Sequence, residues 1–409
     1  MNHSLLPVEP VLVAGGGIGG LCAALCLAQA GYRALVLEQA DTVGEIGAGI
    51  QLGPNIFKMF AHLGLTAAID AVAYYPPAVR MHDVRSGELV VSMPMLDAAG
   101  KSNSLATYGY PYGVVYRADL HAVLLRACQA LPAITVRTGA QVKAYQQDSA
   151  AVTVTLSSGE TLRGAALIGA DGLWSAIREH IVGDGKPRVS GHIAYRAVLK
   201  RSDVPQALWD DNVTLWGGEK THLVTYPLRR GELLNLVVVF HSAKYDEGWN
   251  TFGDMTELAA RFEHACPPVK ALLAKVETWK MWVLCDREPV KNWTDGKVTL
   301  LGDAAHPMLQ YLAQGAGQAI EDAVVLGAAL EHHAGDFAAA FQAYQSARYL
   351  RTGRVQLTAR LYGDIYHAAG VTRELRNAMF QSGTESAGFA GLQWMYQGID
   401  LEQLFPKKP

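Results

Sequence analysis

Cysteine is scarce, and its spacing pairs with nothing. Cys22, Cys26, Cys128, Cys266 and Cys285 are an odd set of five without a Cys-x-x-Cys. Neither a disulfide framework nor a thiolate zinc site is therefore expected, and no metal is called for. Cys22 and Cys26 stand one helical turn apart and read as small packing residues. A dominant charge is also missing. The 35 Lys and Arg against 38 Asp and Glu leave −3, which gives no general attraction for nucleic acid or anionic lipid. Repeats and low-complexity tracts are absent. Val11 to Tyr32 is a run of 22 residues without charge, and its length alone fits a membrane span. The glycines clustered within 15–20, with no basic stretch before them and no small-residue cleavage site after, argue against a span or a signal segment. A cytoplasmic protein without a membrane span is expected.

Half of the 409 residues are hydrophobic and 18% are charged, a globular composition with length for two domains or one domain carrying a long insertion. The most informative segment is Val11-Leu12-Val13-Ala14-Gly15-Gly16-Gly17-Ile18-Gly19-Gly20, followed by Glu38 18 positions after Gly20. It describes a buried strand, a tight turn and a helix aimed at a pyrophosphate. Gly15 suits the turn, Gly17 lets backbone approach phosphate oxygens, and Gly20 lets the helix pack on the strand. The unpaired N–H groups at the helix start, around Ile18 and Gly19, favour the anion. Glu38, after the strand Ala34–Leu37, can accept ribose hydroxyls.

Further along, Gly44 to Asn55 reads as a glycine-rich loop leading into an amphipathic helix through Phe57, Phe60 and Leu63. Val79 to Met93 alternates as strands, Ala118 to Ala130 as a helix, and Thr135 to Leu156 as a strand pair. Ala165 to Gly169 is a buried strand ending at Asp171-Gly172, consistent with a parallel strand returning to the nucleotide sheet. From Gly191 to Trp282 the alternation predicts an antiparallel sheet. Lys297 to Asp303 reads as the last strand of the first domain, and the chain is mainly helical from Gly317. Arg348, Arg351 and Arg354 recur on one helix face, a pattern usual for a solvated or ion-paired surface.

Three separated signatures resemble the single-component flavoprotein aromatic hydroxylases of the para-hydroxybenzoate hydroxylase type. They are the glycine loop with Glu38, the segment Ala170-Asp171-Gly172 through Arg178, and Gly302-Asp303-Ala304-Ala305-His306-Pro307 continuing through Gln314-Gly315-Ala316-Gly317. The resemblance implies an α/β fold: a Rossmann-like FAD-binding domain with an inserted, mainly antiparallel β-sheet substrate domain and C-terminal helices. The expected divisions are 1–75, 104–183 and 284–345 for the FAD domain, 76–103 and 184–283 for the substrate domain, and 346–409 for the helical region. It further implies tightly but non-covalently bound FAD, contacted by Gly15, Gly17, Ile18, Gly19, Gly20, Glu38, Gln51, Arg117, Asp171, Gly302, Asp303, Pro307, Gly315, Ala316 and Gly317. Two of these have an ordinary alternative, Arg117 as a helix-start ion pair and Gln51 as a loop glutamine, while His306 reads as holding its loop in shape rather than acting on substrate. NADH is implied as a transient co-substrate, O2 as the oxidant, and a homodimer as the assembly.

Within the family the resemblance extends to the 3-hydroxybenzoate 6-hydroxylases, through Cys285-Asp286-Arg287-Glu288-Pro289, His222 to Leu228 and Gly302 to Leu312. It implies hydroxylation of 3-hydroxybenzoate to 2,5-dihydroxybenzoate (gentisate) by a flavin hydroperoxide. Met308 departs from the pattern, since relatives often place a second proline there. His222 and Tyr226 share one face of a strand of period two. A phenol reacts faster as phenolate, so His222 is the expected base, with Tyr226 and Gln310 orienting the hydroxyl and Tyr112 reaching the carboxylate. Hydrogen-bonded core residues would look the same. Salicylate 1-hydroxylases and 6-hydroxynicotinate 3-monooxygenases share the motifs, and a non-catalytic flavin-binding protein is the alternative from another class.

Overall fold

Four short runs, Val11–Ala14, Ala34–Leu37, Ala166–Gly169 and Val298–Leu300, are almost wholly apolar and are buried on both faces. Strands of that kind need helices on both sides, which is the environment of a parallel sheet. In the structure, a computed structural model that describes residues 9–42, 48–97, 99–242, 251–382 and 385–406, they pair as parallel neighbours. Ile134–Arg137 extends the sheet on one side, and Thr294–Asp295 closes the other as an antiparallel edge. The helices Ile18–Gln29 and Gly315–His333 cross closely on this sheet. A side chain at Gly327 would stand 2.9 Å from the Cys26 Cβ, so Cys26 is a packing residue as expected. All five cysteines are free.

The second large element is an eight-stranded sheet. Its order is Thr251–Phe252, Lys280–Asp286, Arg188–Lys200, Leu233–His241, Thr221–Leu228, Val213–Gly218, Ala78–Asp83 and Leu89–Pro94. All pairings are antiparallel except that of Val213–Gly218 with Ala78–Asp83. One face packs on the short helices Met255–Arg261 and Pro267–Leu273 through Leu223, Leu236, Val238 and Phe240. The other face, carrying Val224, Tyr226 and Leu228, meets Tyr112, Met395 and Tyr396. The sheet thus presents an aromatic surface toward the first domain and the C-terminal helices.

The sequence reading departs from the structure in three places. Thr135 to Leu156 holds more than a strand pair. Ile134–Arg137 joins the parallel sheet, while Val142–Gln147 and Val152–Leu156 pair with each other and Val152–Leu156 pairs further with Thr161–Gly164 in a separate three-stranded sheet. Alternation showed strand character but not which sheet each strand would join. The glycine-rich stretch 44–55 is not all loop, because Gly49–Leu52 pairs antiparallel with Gly113–Tyr116; residues 44–47 lie outside the described residues. Of the two expectations for the arginine row, Arg348 follows the ion-paired one and not the solvated one: it is completely buried in the helix Phe337–Tyr366, which runs unbroken past 345/346. Among the described residues no helix is long and apolar enough to cross a membrane.

Arg348 lies at the centre of a buried charge network. Its Nε donates to Asp322 Oδ1 and its Nη1 to Glu321 Oε2, each at 2.7 Å. Arg351 and Asn55 also donate to Glu321, while Arg354 lies over the Trp394 ring. Burial alone would raise the Glu321 pKa, but the Arg351 and Arg348 charges overcome it and hold it at about 2; Asp322 is lowered in the same way, by His306 and Arg348. Removing one member of such a network leaves charge buried and unpaired, so Arg348→Ala is expected to cost about 3–5 kcal/mol in urea unfolding. Because these carboxylates are depressed in the folded state, their contribution is complete at neutral pH. It fades as pH falls from the ordinary carboxylate range of about 4 toward 2. Equal stability of wild type and variant at neutral pH would contradict this.

Candidate active site

Two glycines at the first turn are required by space. Gly15 has φ +109°, and a Cβ there would lie 2.3 Å from the Ala170 carbonyl oxygen; a Cβ on Gly20 would lie 1.9 Å from the Gly15 oxygen. Gly17 is different, with nothing within 4 Å of its Cβ position. It caps the helix Ile18–Gln29 without any side-chain hydrogen bond, so the helix start presents open backbone donors. Gly19 packs against Leu301 and Ala319 instead. The Glu38 carboxylate accepts from Gly16 N at 2.7 Å and Ala40 N at 2.9 Å, holding the turn against the second strand.

The other two signatures converge on this turn. Asp171 follows directly on Ala170, which backs Gly15, and its Oδ2 caps the next helix through Ala176 N at 2.9 Å. Its Oδ1 is buried without a partner, and burial raises its pKa. Arg178 Nη1 donates to the carbonyls of Ala304 and Ala305, at 2.9 and 2.5 Å, which ties the second signature to the third. In the third, Asp322 Oδ2 accepts from Gly302 N at 3.0 Å and pairs with His306 Nε2 at 2.5 Å, so His306 shapes its loop. The Pro307 carbonyl is held by Gln356. Asp303 keeps accessible surface although protein encloses it deeply. Burial raises its pKa, with His306 and Arg117 opposing, and its Oδ1 lies 3.8 Å from the Cβ position of Gly315.

Gly315, Ala316 and Gly317 open the helix Gly315–His333, which also has no side-chain cap. Gly317 admits Ile56, whose Cδ1 would be 2.4 Å from a Cβ there. These features fit FAD. Two uncapped helix starts, one at the glycine turn and one beside Asp303, suit anionic or hydroxyl-bearing groups, and the buried Asp171 Oδ1 has no protein donor among the described residues.

On the aromatic surface, Tyr226 packs against Gly49, with its Cε2 2.3 Å from the Cβ position. Tyr112 donates its hydroxyl to Gln51 Oε1 at 2.7 Å. Gln310 begins a short turn and its Oε1 accepts from Arg196 Nη2 at 2.6 Å. His222, 2% exposed, is bonded through Nδ1 to His367 Nε2 at 2.8 Å, and its ring lies 5.5 Å from that of Tyr311. His222 and Tyr226 do share a face, but Tyr226 belongs to the Tyr112 cluster while His222 is grouped with Tyr311, Tyr366 and His367. Val224 and Leu312 belong to both neighbourhoods. Among the described residues the Tyr226 hydroxyl, Gln310 Nε2 and His222 Nε2 have no protein partner.

Sequence reasoning missed Arg196. Its Nε is buried without a partner, its head lies 5.1 Å over the Trp282 ring, and it pairs with no carboxylate among the described residues. Burial lowers its pKa to about 10, with Tyr226 and Arg117 close enough to act on it. Sequence gives no sign of this, because a lone arginine in a strand looks like any edge charge. His192, His241 and His367 were missed for a similar reason, being brought together from two strands and a helix end.

A family profile described as FAD binding domain matches residues 9–355. The 3-hydroxybenzoate 6-hydroxylase of Polaromonas naphthalenivorans is 45% identical over 387 residues, 95% of each chain. That of Klebsiella oxytoca is 42% identical, over 95% of this chain and 96% of the relative. Among solved structures, Klebsiella pneumoniae HpxO complexed with FAD and uric acid superposes with a TM-score of 0.84 at 28% identity, covering 99% of this chain and 100% of that one. Gly20→Ala, which forces a methyl to 1.9 Å from the Gly15 oxygen, is expected to yield protein that purifies with little flavin absorbance. Wild-type flavin content would contradict the turn's assignment.

Proposed function

The chain belongs to the single-component flavoprotein aromatic hydroxylases that carry this FAD binding domain, and on that footing we propose that it hydroxylates 3-hydroxybenzoate para to its hydroxyl. NADH and O2 are consumed with one proton, and 2,5-dihydroxybenzoate, NAD+ and water are released. The observation that carries this reading is Arg196, a partly buried cation whose Nε is enclosed and which has no acidic partner among the described residues, beside Tyr226 and Gln310. A buried charge calls for a countercharge, and an aromatic carboxylate supplies one. Tyr112 is the poorer candidate for that contact, because its single proton is directed to Gln51.

Bound FAD supplies the reducing equivalents from NADH and the activated oxygen. Glycines 15, 17, 19 and 20 with Ile18 and Glu38 hold its nucleotide end. Asp303 would accept from ribityl hydroxyls, and the uncapped amides of Gly315 to Gly317 would offer donors to the flavin. Gln51, Arg117, Asp171, Gly302 and Pro307 complete the lining. On the substrate, Arg196 fixes Gln310 with its oxygen turned to the guanidinium, which leaves Nε2 to donate to the phenolic oxygen. Burial raises the Tyr226 pKa, so its hydroxyl stays a donor. Burial, then His192, hold His222 at about 3, so at neutral pH its ring is uncharged and its Nε2 is available for the phenolic proton. The apolar neighbours Val224 and Leu312 help keep water from the reacting centre.

The assembly we favour is a homodimer. Leu350, Leu357 and Leu361 on one helix, and Val371, Leu375 and Met379 on the next, are each at least half exposed, the least at 52%, and apolar rows of this kind commonly pack against a second copy. Leu357→Glu combined with Leu375→Glu is expected to sediment as a monomer; an unchanged sedimentation coefficient would contradict the interface. The function itself is tested by incubating holoenzyme, NADH and 3-hydroxybenzoate and chromatographing the product. Gentisate is expected, while decarboxylated product from salicylate, or turnover only with hydroxypyridine carboxylates, would overturn the substrate. Arg196→Met is expected to raise KM for 3-hydroxybenzoate about ten- to hundred-fold with flavin content unchanged.

A further inference from the structure

If His222 is the base of the proposed reaction, it must receive a proton where almost no water reaches it, and it needs somewhere to send it. Behind it, away from the free Nε2, His222 Nδ1 meets His367 Nε2 at 2.8 Å, and His367 Nδ1 meets His241 Nε2 at 3.0 Å. His241 ends its strand and is partly exposed. Each inner ring therefore uses one nitrogen toward the site and the other toward the surface, the alternation that a proton shift along imidazoles needs.

We propose that His367 and His241 form with His222 a proton path from the phenolic oxygen of the substrate to solvent. In the outward direction the substrate O–H breaks and an N–H forms at His222 Nε2. The Nδ1 proton of His222 passes to His367 Nε2, and the Nδ1 proton of His367 to His241 Nε2. The Nδ1 proton of His241 leaves to water. The inward run, when the product hydroxyl re-forms, restores every tautomer, and no electrons move.

The surroundings suit passage rather than storage. His222 and His367 are lowered by burial and then by neighbouring imidazoles, and His241 by burial and then by Lys220 and Arg261, with Asp364 opposing. His192 lies beside the chain, bonded to the Tyr311 hydroxyl, while Tyr311 and Tyr366 pack on His222. His192, His241 and His367 are close enough to suggest metal ligands. However, the His192 and His241 rings lie 4.0 Å apart at only 31°, nearer to stacked than to an arrangement that aims both in-plane lone pairs at one ion.

The test uses FAD-loaded enzyme and stopped-flow measurement of the hydroxylation step on mixing reduced enzyme and 3-hydroxybenzoate with O2. His367→Asn and His241→Ala are each expected to slow that step about ten-fold or more and to change its pH profile. Substrate affinity and flavin reduction by NADH should be unchanged, and added imidazole should restore the His241→Ala variant, whose partly exposed position leaves room for it. Wild-type rates in both variants, or slowing that follows weakened substrate affinity and ignores pH and imidazole, would overturn the path. The reading of His222 is separable. If His222→Asn is slow while the other two variants are normal, only the path fails; if His222→Asn is itself normal, the base assignment fails.

Discussion

Two carboxylates without any solvent exposure, Glu321 and Asp322, side by side on one helix and met by Arg348, set the position of nearly everything else. A buried ion pair is often no better than apolar packing for stability, but it is demanding in geometry. Here that demand is used. Asp322 reaches the backbone of Gly302 and the ring of His306, which fixes the loop bearing Asp303, and Glu321 reaches Asn55 on the helix after the strand of Gln51. Arg178 extends the same logic to the second signature through the carbonyls of Ala304 and Ala305. Segments separated by hundreds of residues are thereby brought to one place.

The substrate side follows the opposite rule. Where the scaffold satisfies its charges, the aromatic surface leaves polar groups open: the Nε of Arg196, the hydroxyl of Tyr226, Nε2 of Gln310 and Nε2 of His222. Of these the Arg196 Nε is fully enclosed, and a buried polar atom costs free energy unless a ligand completes it. Their order, from cation through donors to an uncharged imidazole, matches a ring with a carboxylate at one position and a phenol at another. The long strand Thr221–Leu228 makes this possible by carrying His222, Val224 and Tyr226 on one face, while Leu223 anchors the other in a separate core.

Much of the fold was legible in the sequence because its signals are local. Buried four-residue strands, a glycine turn with a carboxylate at the right distance, and alternating runs from Val213 to Phe240 each show their own type. Sheet membership was not legible, as with Ile134–Arg137, because pairing is decided by partners distant in the chain. The glycine turn could be read because close backbone approach demands glycine at fixed places, as at Gly15 and Gly20. The burial of Arg348 could not, since an arginine row on a helix looks the same whether solvent or two carboxylates face it. Arg196 and His367 were likewise silent: their meaning comes from what lies opposite them, Gln310 and His222.

The account turns on a single aromatic acid held between a half-buried cation and a buried imidazole next to FAD. A crystal structure of the FAD complex with 3-hydroxybenzoate, kept free of reductant, tests this most directly. The carboxylate should pair with Arg196, and the phenolic oxygen should lie about 3 Å from His222 Nε2. A ring bound away from the strand Thr221–Leu228, or turned so that its carboxylate avoids Arg196, would contradict it.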